Sequence, residues 1–213
     1  MPPTAAPSPH LHAIIGTSIP PIQVMDIGAM LEGDERYRAL IDQGLASVTG
    51  FEANPAEFAR LSRRTGPYTY HPVCLGNGNP ATLHITHYPG CSSLLRPDET
   101  VINAFSGIGA SLPGGNFAVE KTVPVDTVRL DDVEGCARPD LIKIDVQGGE
   151  LGVVLGAADT LRRCRPVVVV EQKGFDARRG DKKHAALKFL NKMGARTFFV
   201  SSGDYSLDWP TGE

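Results

Sequence analysis

Apolar positions along the chain fall into two rhythms. The run "PIQVMDIG" (Pro21 to Gly28) is nearly continuous, which predicts a buried strand ending in a turn. In "DERYRALIDQG" the spacing changes: Tyr37, Leu40 and Ile41 recur at helical intervals and the pattern stops at Gly44, a helix-ending residue. The segment "ASVTGFEANP" predicts a second strand, and Asn54-Pro55 starts the helix "PAEFARLSRR". A third strand, a Gly-Asn turn and another short strand follow in "YTYHPVCLGNGNPATLHIT". Strands alternating with helices at this pitch require right-handed parallel crossovers, hence an α/β fold with a doubly wound sheet.

The rhythm breaks between Tyr88 and Asn116, where turn formers dominate, and this predicts a lid or substrate insertion at about 88–116 over one edge of the sheet. Regular patterning returns in "FAVEKTVPVDTVRLDDV" and in the strand "PDLIKIDV". "QGGELGVVLGAADTLRRC" predicts a helix broken near Gly156, and "RPVVVVEQ" a strand apolar on both faces, as in the middle of a parallel sheet. An amphipathic helix, "HAALKFLNKMG", and two closing strands in "ARTFFVSSGDYSLDW", joined by Gly203-Asp204, complete the pattern. Residues 1–18, rich in proline and small residues, are expected to form a loosely ordered arm, leaving 19–213 as one domain.

Composition narrows the partners. A net charge of −3 gives no electrostatic reason to expect nucleic acid or an anionic membrane. No run approaches the ~18 apolar residues of a membrane span, and the start lacks the form of a signal peptide. Cys74, Cys91, Cys136 and Cys164 are far apart, which suits a reduced, cytoplasmic setting. His84 and His87, three apart on a predicted strand, face opposite ways and do not suggest a metal pair.

In an open parallel sheet, ligands bind beyond the carboxyl ends of the strands. Asp26, Glu52, Asp145 and Glu171 all fall at such ends and converge on one cleft. The loop after the first strand has only Gly28 and Gly33, too few glycines for a pyrophosphate cradle. A carboxylate at Asp26 would repel phosphate and suit a cationic group, such as the ammonium or sulfonium of S-adenosylmethionine. Glu52 is in position to accept hydrogen bonds from ribose hydroxyls.

"VMDIGA", "VTGFEANP", "VCLGNGNPATLHI", "LDDV" and "DLIKIDVQGGELGVVLGAADTL", in that order, resemble the FkbM family of S-adenosylmethionine-dependent methyltransferases. The resemblance implies a class I methyltransferase (Rossmann-like) fold of three αβα layers, mostly parallel with a final antiparallel strand. It implies methyl transfer to a hydroxyl of a sugar, glycan or small metabolite, leaving S-adenosylhomocysteine. The matched positions assign Asp26, Gly28 and Ala29 to the first cofactor motif, and Glu52 and Ala53 to the ribose end. Leu75 and Gly76 belong to the same cofactor set, and Asp145 lies beside the transferred methyl. Two positions depart from the family pattern: Met30 stands where asparagine is common, and Gln147 where glutamate is frequent.

An alcohol acceptor must lose its proton as it attacks. Asp145 is the first candidate base and Glu171 the second; as alternatives, Asp145 caps a helix and Glu171 pairs with Lys173 or Arg178. A Mg²⁺ ion between two carboxylates is left open but not expected, for want of a complete ligand set. Ser92, Ser93 and Arg96 in the irregular segment, and His184 at a helix start, are candidate substrate contacts. A homodimer through the irregular segment is left open. Competing readings are a nicotinamide-dependent oxidoreductase and a non-catalytic module of the same fold.

Overall fold

The computed structural model describes residues 20–33, 35–103, 115–136, 138–171 and 185–195. Its main sheet has five parallel strands, β1 (Ile22–Ile27), β2 (Ala46–Phe51), β3 (Tyr68–His71), β6 (Leu141–Ile144) and β7 (Val167–Val170), ordered β3-β2-β1-β6-β7. The order reverses at β1, so β1 and β6 flank the switch point where loops diverge and leave a crevice.

Local chemistry sets the connecting helices. α1 (Arg38–Asp42) is shorter than the expected "DERYRALIDQG" helix. It ends as predicted at Gly44, whose φ of 69° lets the Gly44 N–H reach the Ile41 carbonyl and the Leu45 N–H reach that of Leu40. α2 (Pro55–Leu61) begins at Asn54, whose side chain accepts the Ala56 N–H at 3.0 Å. The helix after β6 is broken as expected, into α4 (Glu150–Gly156) and α5 (Ala158–Cys164). A Cβ on Gly156 would collide with the Gly76 carbonyl, so the break is where the helix meets another backbone closely. α6 (Ala185–Lys192) packs on α4.

Both faces of the sheet are covered. Met25, Ile27, Phe51, Ile142 and Ile144 meet α4, α5 and α6 on one side. Val24, Val48 and Leu141 meet Tyr37 and α1 on the other. A layered α/β fold results, as the pattern predicts.

The remaining strands complete the picture. The short strand after the Gly-Asn turn, β4 (Pro80–Thr86), and β5 (Val119–Asp126) form a separate antiparallel pair outside the main sheet. β5 is mostly exposed and reads "VEKTVPVD", a polar alternation suited to a one-sided ribbon rather than a sheet centre. β7 is the end strand of the sheet among the described residues, and Val167 is exposed. The N-terminal arm and the two closing strands, including the antiparallel one, lie outside the described residues. A short helical segment, α3 (Glu99–Ile102), stands within the irregular 88–116 stretch; residues 104–114 of that stretch also lie outside them.

Candidate functional site

The carboxyl ends of β1, β2, β6 and β7 border a cleft of about 260 Å³. Its walls include Gly28, Glu52, Asp145 and Glu171, together with Tyr88, Ser92 and Ser93 of the irregular segment. Gly28 has a φ of 78°, and a Cβ there would collide with the Asp145 carbonyl oxygen. Glycine at this position thus sets both the turn and the spacing between the two loops.

Behind this wall runs a buried polar row. Asp26 lies opposite Gly50 on β2 and Lys143 on β6, so these residues share one face of the sheet. Lys143 Nζ donates to Asp26 at 3.0 Å and the Tyr37 hydroxyl donates to the same carboxylate at 2.6 Å. Burial pushes the Asp26 carboxyl above its usual range, against the pull of Lys143 and Tyr37. Burial also works against the Lys143 ammonium, but Asp26 and Asp145 hold its pKa above the ordinary lysine value. The ammonium therefore persists inside the protein, with Asp145 Oδ2 at 3.7 Å as its second anion.

Nearer the opening, Gln147 has a φ of 57°, a left-handed conformation that is costly for a side chain of its size. That conformation brings its amide Nε2 to donate to Asp145 at 2.7 Å and to Glu171 at 3.0 Å. The Ser93 hydroxyl donates to the Gln147 carbonyl at 2.8 Å, tying the irregular segment to this loop. At the other end, Glu52 accepts the Asn54 N–H at 2.6 Å. Burial, opposed by that N–H, pushes the Glu52 carboxyl up to about 7.

A family model described as the methyltransferase FkbM domain matches residues 26–197, most of the chain. The chain belongs to the FkbM methyltransferase family. It is 31% identical over 139 residues to "Methyltransferase 1" of Beauveria bassiana (strain ARSEF 2860), which covers 59% of this chain and 55% of that protein. The chain thus spans about half the length of the curated relative it matches. A crystal structure named methyltransferase FkbM, from Methylobacillus flagellatus KT, aligns over 81% of this chain and 36% of its own, at a TM-score of 0.47 and 17% identity.

Within this FkbM chain the cleft gathers Gly28, Glu52, Ala53, Leu75, Asp145 and Glu171, together with Ser92 and Ser93. Four other expected residues do not line it. Asp26 is only 3% exposed and its charge is spent on Lys143, so the picture of a free carboxylate turned toward a cationic ligand is corrected. Ala29 is buried against Gly50, and Gly76 is wedged between Thr127 and Gly156. Arg96 is exposed and lies 3.7 Å from Glu99. Ser92 accepts the Thr86 N–H and Ser93 holds Gln147, so both hydroxyls already have work within the protein. His184 lies outside the described residues, as do Lys173 and Arg178.

Lys143, Gln147 and Glu57 are cleft residues that the sequence reading missed or discounted. Lys143 left a signal, a lone cation in the apolar strand "LIKI". Gln147 shows in the sequence only as a departure from the family's frequent glutamate. Glu57 left none, being one of several charges on a short helix.

Proposed function

We propose that this methyltransferase uses S-adenosylmethionine and transfers the methyl group to a hydroxyl of a sugar, glycan or small metabolite. One observation carries the reading. At the switch point of a parallel sheet, half-buried Glu52 and the Asp145–Gln147–Glu171 cluster line one cleft together with the Gly28 turn. The cofactor fits the chemistry of this lining: Glu52 and Ala53 would hold the ribose end, and Gly28 lets the backbone pass close to its middle. When bound, it supplies a sulfonium-activated methyl for in-line displacement by the acceptor oxygen.

The chain's own residues do the rest. Asp145 receives the acceptor's proton at a carboxylate oxygen as the new C–O bond forms. Gln147 and Lys143 orient that carboxylate from two sides. Glu171, held by the same amide, is the second acid at the acceptor end. Tyr88 and the adjoining loop shield the reacting groups from water. Cys74, Cys91, Cys136 and Cys164 form no disulfide with one another, which fits a cytoplasmic setting. Among the described residues, no helix is long and apolar enough to cross a membrane.

Asp145→Asn tests the assignment once an acceptor is found by screening for S-adenosylhomocysteine release. Turnover is expected to fall about 10²-fold or more, while affinity for S-adenosylhomocysteine stays within about threefold. Full turnover in that variant would contradict the base role.

A further inference from the structure

Glu57 is a buried carboxylate with an unmet requirement. It lines the cleft beside Glu52 and is only 4% exposed. Arg60 Nη1 donates to its Oε1 at 2.8 Å, and the same guanidinium binds Glu32. Its Oε2 is buried and has no hydrogen-bond partner among the described residues. Burying a carboxylate oxygen in this state is costly, so a partner supplied from outside the chain is the economical explanation.

Local structure removes the ordinary reason for the residue. Glu57 is the third residue of α2, where a glutamate usually reaches back to the backbone N–H of the capping residue. Here that N–H, on Asn54, is donated to Glu52 at 2.6 Å. Asn54 meanwhile caps the helix with its own side chain. Glu57 is thus displaced from its helix-capping role by the neighbour with which it shares the cleft wall. Both residues line the same cleft, and the negative charge of Glu57 also contributes to the raised pKa of Glu52.

Two neighbouring carboxylates call for neutral donors that come in adjacent pairs. A vicinal diol supplies two O–H groups without adding charge, whereas phosphate or a carboxylate ligand would be repelled. We propose that Glu57 and Glu52 form a two-carboxylate diol subsite, in which a small shift of the Glu57 side chain on ligand entry lets the now covered Oε2 accept one ribose hydroxyl while Glu52 accepts the other. The inference rests on the cleft being a nucleoside-cofactor site and adds Glu57 as its second hydroxyl acceptor. Arg60 then serves to hold Glu57 through Oε1, leaving Oε2 for the ligand.

The experiment is a calorimetric titration of the full chain and of Glu57→Gln with S-adenosylhomocysteine and with its 2′,3′-dideoxy analogue. Glu57→Gln is expected to weaken S-adenosylhomocysteine at least tenfold and to leave the dideoxy analogue within about twofold. Thermal melting without ligand should be unchanged or higher, because an unsatisfied buried charge has been removed. Equal weakening of both ligands, or a lower melting temperature with unchanged affinity, would assign Glu57 to structure and overturn the inference. Should the glutamine variant not fold, Glu57→Asp, which withdraws the carboxylate by one methylene, is expected to show the same selective loss. Failure of the unaltered chain to bind S-adenosylhomocysteine would overturn the cofactor reading itself, whereas binding unaffected by either substitution would overturn the diol subsite alone.

Discussion

In the proposed cofactor site Glu52 would meet two opposing demands: charge suits it to hold hydroxyls, yet its burial favours the proton. With a folded pKa of about 7 against 4.5 for an unperturbed group, it is protonated in the folded chain over a range where the unfolded chain is ionised. The sign follows from linkage: a raised carboxyl stabilises the fold fully below about 4.5 and loses that contribution as pH rises through about 7. The stability of the unaltered protein relative to Glu52→Gln is therefore expected to fall between pH 5 and 8, by up to about 3 kcal/mol. Urea denaturation across that range checks it, and a flat difference would contradict the buried setting. Gln147 carries a related prediction. Its amide donates to both Asp145 and Glu171, so Gln147→Glu replaces two donors with a third negative charge. A loss of about 1 kcal/mol or more at neutral pH is expected, shrinking as the acid protonates at lower pH. At this scale the strand-end acids were legible because chain direction alone brings them to one edge. The partner of Asp26 was not, because only the register of β1 on β6 sets Lys143 beside it.

Among the elements, the caps decide where helices begin and stop, and several were readable as residue signatures. Asn54-Pro55 and Gly44 did what their chemistry requires, and the helix break fell next to Gly156. A cap supplied from afar left no such mark. The Asp131 carboxylate accepts the N–H groups of Asp159 and Thr160 at 3.0 and 2.8 Å, at the start of α5. Burial works the other way, but those N–H groups, with Arg129, hold its carboxyl below the usual range. Asp131→Ala should cost about 1–2 kcal/mol of stability at pH 7. A depressed acid contributes above its unfolded pKa and loses that as pH falls through the folded one, so the cost should fade in strong acid. Equal urea midpoints at pH 7 would contradict the cap. The pairing of β4 with β5 was not readable because strand length and turn signals do not say which sheet a strand joins. Partner choice there is set by contacts distant in sequence, such as Leu83 with Val123.

For the molecule as a whole, the α/β class and the family were legible, because alternating strand and helix patterns and ordered motifs survive without side-chain geometry. The cleft's inner wiring was not, since Lys143, Gln147 and Glu57 act through neighbours brought together only by the fold. What that wiring serves is one claim: the cleft between β1, β2 and β6 takes a nucleoside carrying a methyl donor rather than a dinucleotide. Calorimetric titration of the full chain with S-adenosylhomocysteine, and separately with NAD, tests it most directly. Saturable one-to-one binding of S-adenosylhomocysteine, weakened at least tenfold by Glu52→Ala, with no heat from NAD, is the predicted result. NAD binding in the absence of any S-adenosylhomocysteine binding would contradict it.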